Sequence, residues 1–193
     1  EGFIIGISID GPEELHNAHR LDRKGKGSFN RVTRGLQLLH DYGITFEILC
    51  VIHALNVSYP LEVYHFFKQM GARYITFLPL VQHIPDLTED VTFDSVPPVP
   101  FGHFLSAIFD EWVENDIGNI TIQIFEEAIR PAFNQEHTLC IFKVACGGVP
   151  VVEHNGDVYS CDHYVDRKHF LGNLKDQTLS YYLDSETQEK FGK

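Results

Sequence analysis

A chain of 193 residues, 44% of them hydrophobic, is long enough to bury one sizeable core, or a core with a small appendage, and disorder does not dominate it. Acidic residues outnumber basic ones by 27 to 15, which argues against a nucleic-acid groove, because phosphate binding needs clustered Lys and Arg. No apolar run reaches membrane-spanning length and no stretch reads as a secretory signal, so a membrane partner is not expected. Four cysteines in such a chain fit a reducing, cytoplasmic setting, where Cys clusters more often hold metals or do chemistry than form disulfides.

Along the chain, the apolar run Phe3 to Ile9 stops at Asp10-Gly11-Pro12, which predicts a buried strand ending in a turn. Ser28 is the expected cap of a helix carrying Phe29, Val32, Leu36 and Leu39 on one face and closing at Gly43. A strand is expected from about Ile44 to Ala54. It contains Cys50, which reads as a small buried hydrophobe. Pro60 opens a second helix, with Val63, Phe66, Phe67 and Met70 on one face, that ends at Gly71, and Tyr74 to Val81 forms the next strand. This alternation predicts βαβ units. The three strands should lie parallel and adjacent in chain order, both sheet faces covered, with helices on one outer face. Gln82 to Pro100 reads as a loop. Phe104, Leu105, Ile108, Phe109 and Trp112 mark an amphipathic helix, and Ile120 to Phe125 a further strand. Beyond Pro131 the pattern changes, and a domain boundary is placed near residues 131–139, giving domains 1–135 and 136–193. Val149 to His154 and Asp157 to Cys161 flank Asn155-Gly156, the dipeptide suited to a tight type I′ hairpin.

Five residues separate Cys140 from Cys146, and fourteen, which include the hairpin, separate Cys146 from Cys161, so the turn can fold Cys161 back beside the other two. Three thiols without a fourth partner read as an incomplete iron–sulfur set, since cubane clusters are usually held by four. By spacing alone, a structural zinc site stands equal to it.

The string Cys140-x5-Cys146-Gly-Gly, with Glu153 to Val165 and Leu171-Gly-Asn-Leu174, resembles the start of the SPASM domain of radical S-adenosylmethionine (SAM) enzymes. The nearest resemblance is to anaerobic sulfatase-maturating enzymes. Ile7-Ser-Ile-Asp-Gly-Pro12 with His16 and Arg20, Ile48 to Val51 and Phe77 to Val81 are similar to the fourth, fifth and sixth strands of their barrel. The resemblance implies the later part of a partial TIM-like (β/α) barrel followed by the start of a small α+β SPASM domain. It implies that Cys140, Cys146 and Cys161 ligate an auxiliary 4Fe-4S cluster, and that Ser8, Arg20 and Val81 bind SAM. Asp162 is implied to be the base that takes a proton from the substrate side chain. Asp10 is expected to shape its turn, and Asp162 to point away from Cys161 toward the barrel opening.

The implied reaction oxidises a Cys or Ser of a sulfatase polypeptide to formylglycine, with electrons supplied by a donor such as flavodoxin or ferredoxin. No CxxxCxxC loop for a SAM cluster occurs in this sequence. The resemblance therefore implies an internal segment of a longer enzyme, inactive alone, with that loop upstream and further auxiliary-cluster cysteines downstream. Another SPASM peptide-modifying enzyme, forming a crosslink or thioether, and a non-catalytic zinc-binding α/β module are the alternatives.

Overall fold

In the computed structural model, which describes residues 3–82, 84 and 91–193, the chain divides into two compact units, Glu1–Ala128 and Ile129–Lys193. The first is built on one parallel sheet. Its strands β1 (Ile5–Ser8), β2 (Phe46–Ile52), β3 (Tyr74–Pro79) and β4 (Thr121–Ile122) neighbour one another in chain order, as the alternating pattern predicts. Helices α1 (Glu13–His19), α2 (Phe29–Asp41), α3 (Pro60–Gln69), α4 (Pro98–Asn115) and α5 (Gln123–Ile129) fill the connections.

Strand β2 shows the physical logic of the sheet. Phe46, Ile48, Cys50 and Ile52 are buried on one face, while Glu47, Leu49 and Val51 on the other are only half-buried. The buried face lies under the helices: His40 of α2 packs edge-on against Phe46, and Phe67 of α3 and Phe104 of α4 approach Phe77 of β3 with ring centroids 6.5 and 5.4 Å away. Each such side chain contributes about 1.5–3 kcal/mol by leaving water. The expected cover on both faces is therefore corrected. Ser8, Leu49 and Thr76 stand side by side in register on the second face, where Ser8 is exposed.

Two local expectations also change. Ser28 precedes α2 but its hydroxyl does not cap it; the Asn17 side chain accepts from the Phe29 N–H instead, at 3.1 Å. The run Ile120 to Phe125 is strand only at its second and third residues, because from Gln123 the chain turns helical and sends Phe125 against Phe109 and Trp112. A short apolar run does not distinguish the two states by itself. Part of the expected loop, residues 83 and 85–90, lies outside the described residues; its end is helical, since α4 starts at Pro98. Helices α3 and α4 are tied where Asp116 accepts from both Tyr64 and Lys68 at 2.7 Å, and burial with this contact raises the Tyr64 pKa far above its usual range.

The second unit carries an antiparallel sheet of β5 (Val151–Val152), β6 (Asp157–Tyr159) and β7 (Phe170–Asn173), followed by α6 (Leu179–Leu183) and α7 (Glu186–Phe191). The hairpin forms at Asn155-Gly156, but not as a type I′ turn, which needs positive φ at both central residues. Gly156 has φ 92°, whereas Asn155 is not among the residues with positive φ. Gly156 N–H donates to Glu153 and Glu153 N–H to Asp157, so the loop has three residues and a glycine bulge. Asn173 holds it from β7, donating to the Asn155 carbonyl at 3.2 Å and the Asp157 carboxylate at 2.8 Å. Among the described residues, no helix is long and apolar enough to cross a membrane.

Candidate functional site

Ser8 ends β1, and Asp10 follows it across the turn. Arg20, just after α1, returns to the same end of the sheet: its Nε and Nη2 donate to the two Asp10 carboxylate oxygens at 2.7 and 3.1 Å. This hydrogen bond, with the Asp10 charge and against the cost of burial, raises the Arg20 pKa and keeps the guanidinium charged. Asp10 is only 2% exposed. It also accepts from the Val51 N–H at 2.9 Å, while its carbonyl accepts from Asn56 at 3.2 Å. Asp10 thus does more than shape a turn. Val81 lies just beyond the C-terminal end of β3, exposed, its neighbour Leu80 donating to Ile52 at 2.8 Å. Because the strands are parallel, Ser8, Arg20 and Val81 all lie toward the same, C-terminal end of the sheet. Arg20 keeps Nη1 free of hydrogen bonds among the described residues, so a hydroxyl and a fixed cation remain there for an anionic, amino-acid-like group. A separate cleft lined by His40, Phe46, Gly71 and Arg73 opens at the opposite end of the strands.

Two histidines complete this end. His16 is fully buried, with Nδ1 facing the Asp10 N–H and Nε2 2.9 Å from the Ser28 hydroxyl. His53 accepts at Nδ1 from the Leu55 N–H, packs on His19 with ring centroids 4.3 Å apart, and has Nε2 buried without a partner among the described residues. Burial lowers both pKa values below the ordinary 6.5, outweighing the pull of Asp10. Below that value the unfolded chain takes up these protons before the folded one, so stability falls with acidification. We expect the urea midpoint to drop between about pH 7.5 and about pH 5.5, by less when His53 is replaced by Gln. A midpoint that stays level, with the same response in the Gln variant, would exclude this contribution.

In the second unit, Cys140 sits on a one-turn helix, Cys146 in an exposed loop and Cys161 just after β6; none forms a disulfide. Gln188 of α7 stitches this region together. Buried, it donates to the Gly147 and Ser160 carbonyls at 2.9 and 3.0 Å, one residue from Cys146 and one from Cys161, while the Cys146 N–H donates to Gly192. Burial, Asp162 and the Cys140 charge raise the Cys161 pKa against a hydrogen bond from the His163 N–H. The donor set suits thiophilic iron: three unpaired thiols in one unit, two of them close enough to interact electrostatically. Among the described residues no group of three His, Cys, Asp or Glu side chains is gathered tightly enough to hold a metal. Asp162 departs from expectation. The Cys161 thiol donates to its Oδ1 at 3.4 Å, so the half-exposed carboxylate folds back along Cys161 instead of turning away.

Comparison with known proteins bears on both units. The serine-type anaerobic sulfatase-maturating enzyme of Bacteroides thetaiotaomicron is 39% identical over 98% of this chain and 49% of its own length. The solved structure of native anSMEcpe with bound AdoMet and Kp18Cys peptide superposes with a TM-score of 0.85 at 31% identity, over 98% of this chain and 53% of that one. The chain is a homologue of the anaerobic sulfatase-maturating enzymes. A family model described as an iron-sulfur cluster-binding domain, SPASM, matches residues 140–193 of this homologue, the segment that holds the three cysteines and the hairpin. The cysteine-type enzyme of Clostridium perfringens is 31% identical over 98% of the chain and 51% of its own length, so relatives of both substrate types align with it. The chain spans about half the length of these curated relatives. Its parallel sheet with helices, followed by an antiparallel SPASM region, is their α/β architecture.

Spacing pointed to the cysteines, and resemblance to Ser8, Arg20, Val81 and Asp162. Neither pointed to Gln188 or Asn56, whose partners lie 41 and 46 residues away. His16 and Asp10 were visible as motif residues, without their bonds.

Proposed function

We propose that the chain is the SAM-binding and auxiliary-cluster portion of a radical SAM oxidoreductase that converts a Cys or Ser of a sulfatase to formylglycine. The observation that carries this reading is the alignment of nearly the whole chain, both units together, with sulfatase-maturating enzymes, including one solved with AdoMet and a peptide bound. In this reading Ser8 and Arg20 hold the amino-acid end of SAM, the guanidinium meeting its carboxylate, and Val81 lies against the adenosine. Cys140, Cys146 and Cys161 supply thiolates to an auxiliary 4Fe-4S cluster. When bound, SAM and the clusters supply the one-electron chemistry: a hydrogen leaves the substrate β-carbon and an electron departs toward the auxiliary clusters. Asp162 takes the remaining proton from the substrate thiol or hydroxyl, so that two protons and two electrons leave in all; Ser gives the aldehyde directly, and Cys gives a thioaldehyde that water hydrolyses with release of sulfide. An electron donor such as flavodoxin or ferredoxin supplies the reducing electron. The three free thiols suit a reducing cytoplasm.

The test is anaerobic incubation of the reconstituted full-length enzyme with SAM, a reductant and peptides carrying a sulfatase motif with Cys or Ser at the modified position. An aldehyde trapped by a hydrazide and located by mass spectrometry at that residue is the expected result. A thioether or crosslink in its place would reassign the protein to another class of SPASM peptide modification.

A further inference from the structure

The bonds around Arg20 form a closed circuit. Its side chain is gripped by the Asp10 carboxylate at two points, 2.7 and 3.1 Å. Its carbonyl accepts from both the N–H and the hydroxyl of Ser28 at 2.9 Å, and its N–H donates to the His16 carbonyl at 3.0 Å. His16 links the two halves: Nδ1 accepts from the Asp10 N–H at 3.3 Å, which leaves the proton of the neutral ring on Nε2, 2.9 Å from the Ser28 oxygen. Asp10 is anchored to β2 through Val51 N–H. A flexible arginine has therefore been fixed at side chain and backbone by one buried aspartate and the ring attached to it.

Resting on the reading that Arg20 meets the SAM carboxylate, we infer that Asp10 is a positioning residue for SAM binding, holding the Arg20 guanidinium side-on so that its remaining N–H edge is presented to the ligand. Two features favour this over simple structural pairing. Asp10 engages Nε and Nη2, leaving Nη1 open, which is the arrangement that keeps an edge for a second carboxylate. Arg20 remains partly exposed, its side chain at 32%, while its partner stands at 2%, so the pair has one inward and one outward end. Pre-ordering a long side chain before the ligand arrives removes part of the entropy cost of binding.

The experiment is a double-mutant cycle on the SAM dissociation constant, measured anaerobically with the cluster-loaded full-length enzyme: Asp10→Asn, Arg20→Ala, the double variant and Arg20→Lys. Arg20→Ala is expected to weaken SAM binding about ten- to a hundredfold, and Asp10→Asn about tenfold. The double variant should be no weaker than Arg20→Ala, because Asp10 acts through Arg20. Arg20→Lys, which keeps the charge but loses the side-on fork, should bind nearly as weakly as Arg20→Ala. Unchanged affinity in Arg20→Ala would overturn the assignment of Arg20 to SAM. Weak binding by Arg20→Ala with normal binding by Asp10→Asn would overturn the positioning role alone, as would fully additive losses in the double variant. If Asp10→Asn proves unfolded by circular dichroism, Arg20→Lys decides: wild-type affinity there means that side-on alignment does not matter.

Discussion

Replacing Asp162 by Asn in the full-length enzyme is expected to lower formylglycine formation roughly a hundred- to ten-thousandfold while reductive cleavage of SAM continues. The amide has the size and shape of the carboxylate, so it can occupy the same place beside Cys161. What it loses is the capacity to take a proton. A positional role would instead appear as a raised KM for the peptide with kcat retained. The measurement is the ratio of 5′-deoxyadenosine to peptide aldehyde, near one in the parent reaction and strongly tilted toward 5′-deoxyadenosine in the variant. Equal coupled output from both proteins would end the assignment of Asp162 as base.

Gly172→Ala should destabilise the second unit by about 2–5 kcal/mol, the sum of overpacking and backbone strain. Gly172 has φ 147°, outside the range comfortable for a side chain, and an added Cβ would collide with one edge of the Tyr182 ring and its hydroxyl. That ring cannot simply leave. It is buried, and its hydroxyl donates to the Asn173 carbonyl at 2.8 Å, while the Asn173 side chain in turn secures the hairpin before Cys161. Urea unfolding followed by near-ultraviolet circular dichroism checks the loss. Adding Tyr182→Leu should recover the steric part but not the backbone part, so full recovery or none would contradict this division.

Leu171-Gly-Asn-Leu174 was legible as a motif and illegible as a mechanism: its glycine makes room for Tyr182 and its asparagine braces a hairpin 16 residues upstream. Where forces act between near neighbours in the chain, the residues alone foretold the outcome. The buried alternation of Phe46, Ile48, Cys50 and Ile52, the faces of α2 and α3, and the order of the three main strands all follow from side-chain periodicity and the turns between runs. The cysteine spacing and the Asn155-Gly156 hairpin were legible for the same reason.

Long-range packing settled the rest. Phe125 is helical because Phe109 and Trp112 await it, a contact that no window around Gln123 contains. Asn17 took the capping role expected of Ser28 once the Ser28 hydroxyl was engaged by Arg20 and His16. Asp10 became a buried partner of Arg20 and Val51, and Gln188 a tie between two cysteine-bearing segments. Each of these polar groups had several possible partners in the extended chain. Which one it met depended on burial, since a polar group removed from water must find a partner among whatever the fold brings within reach.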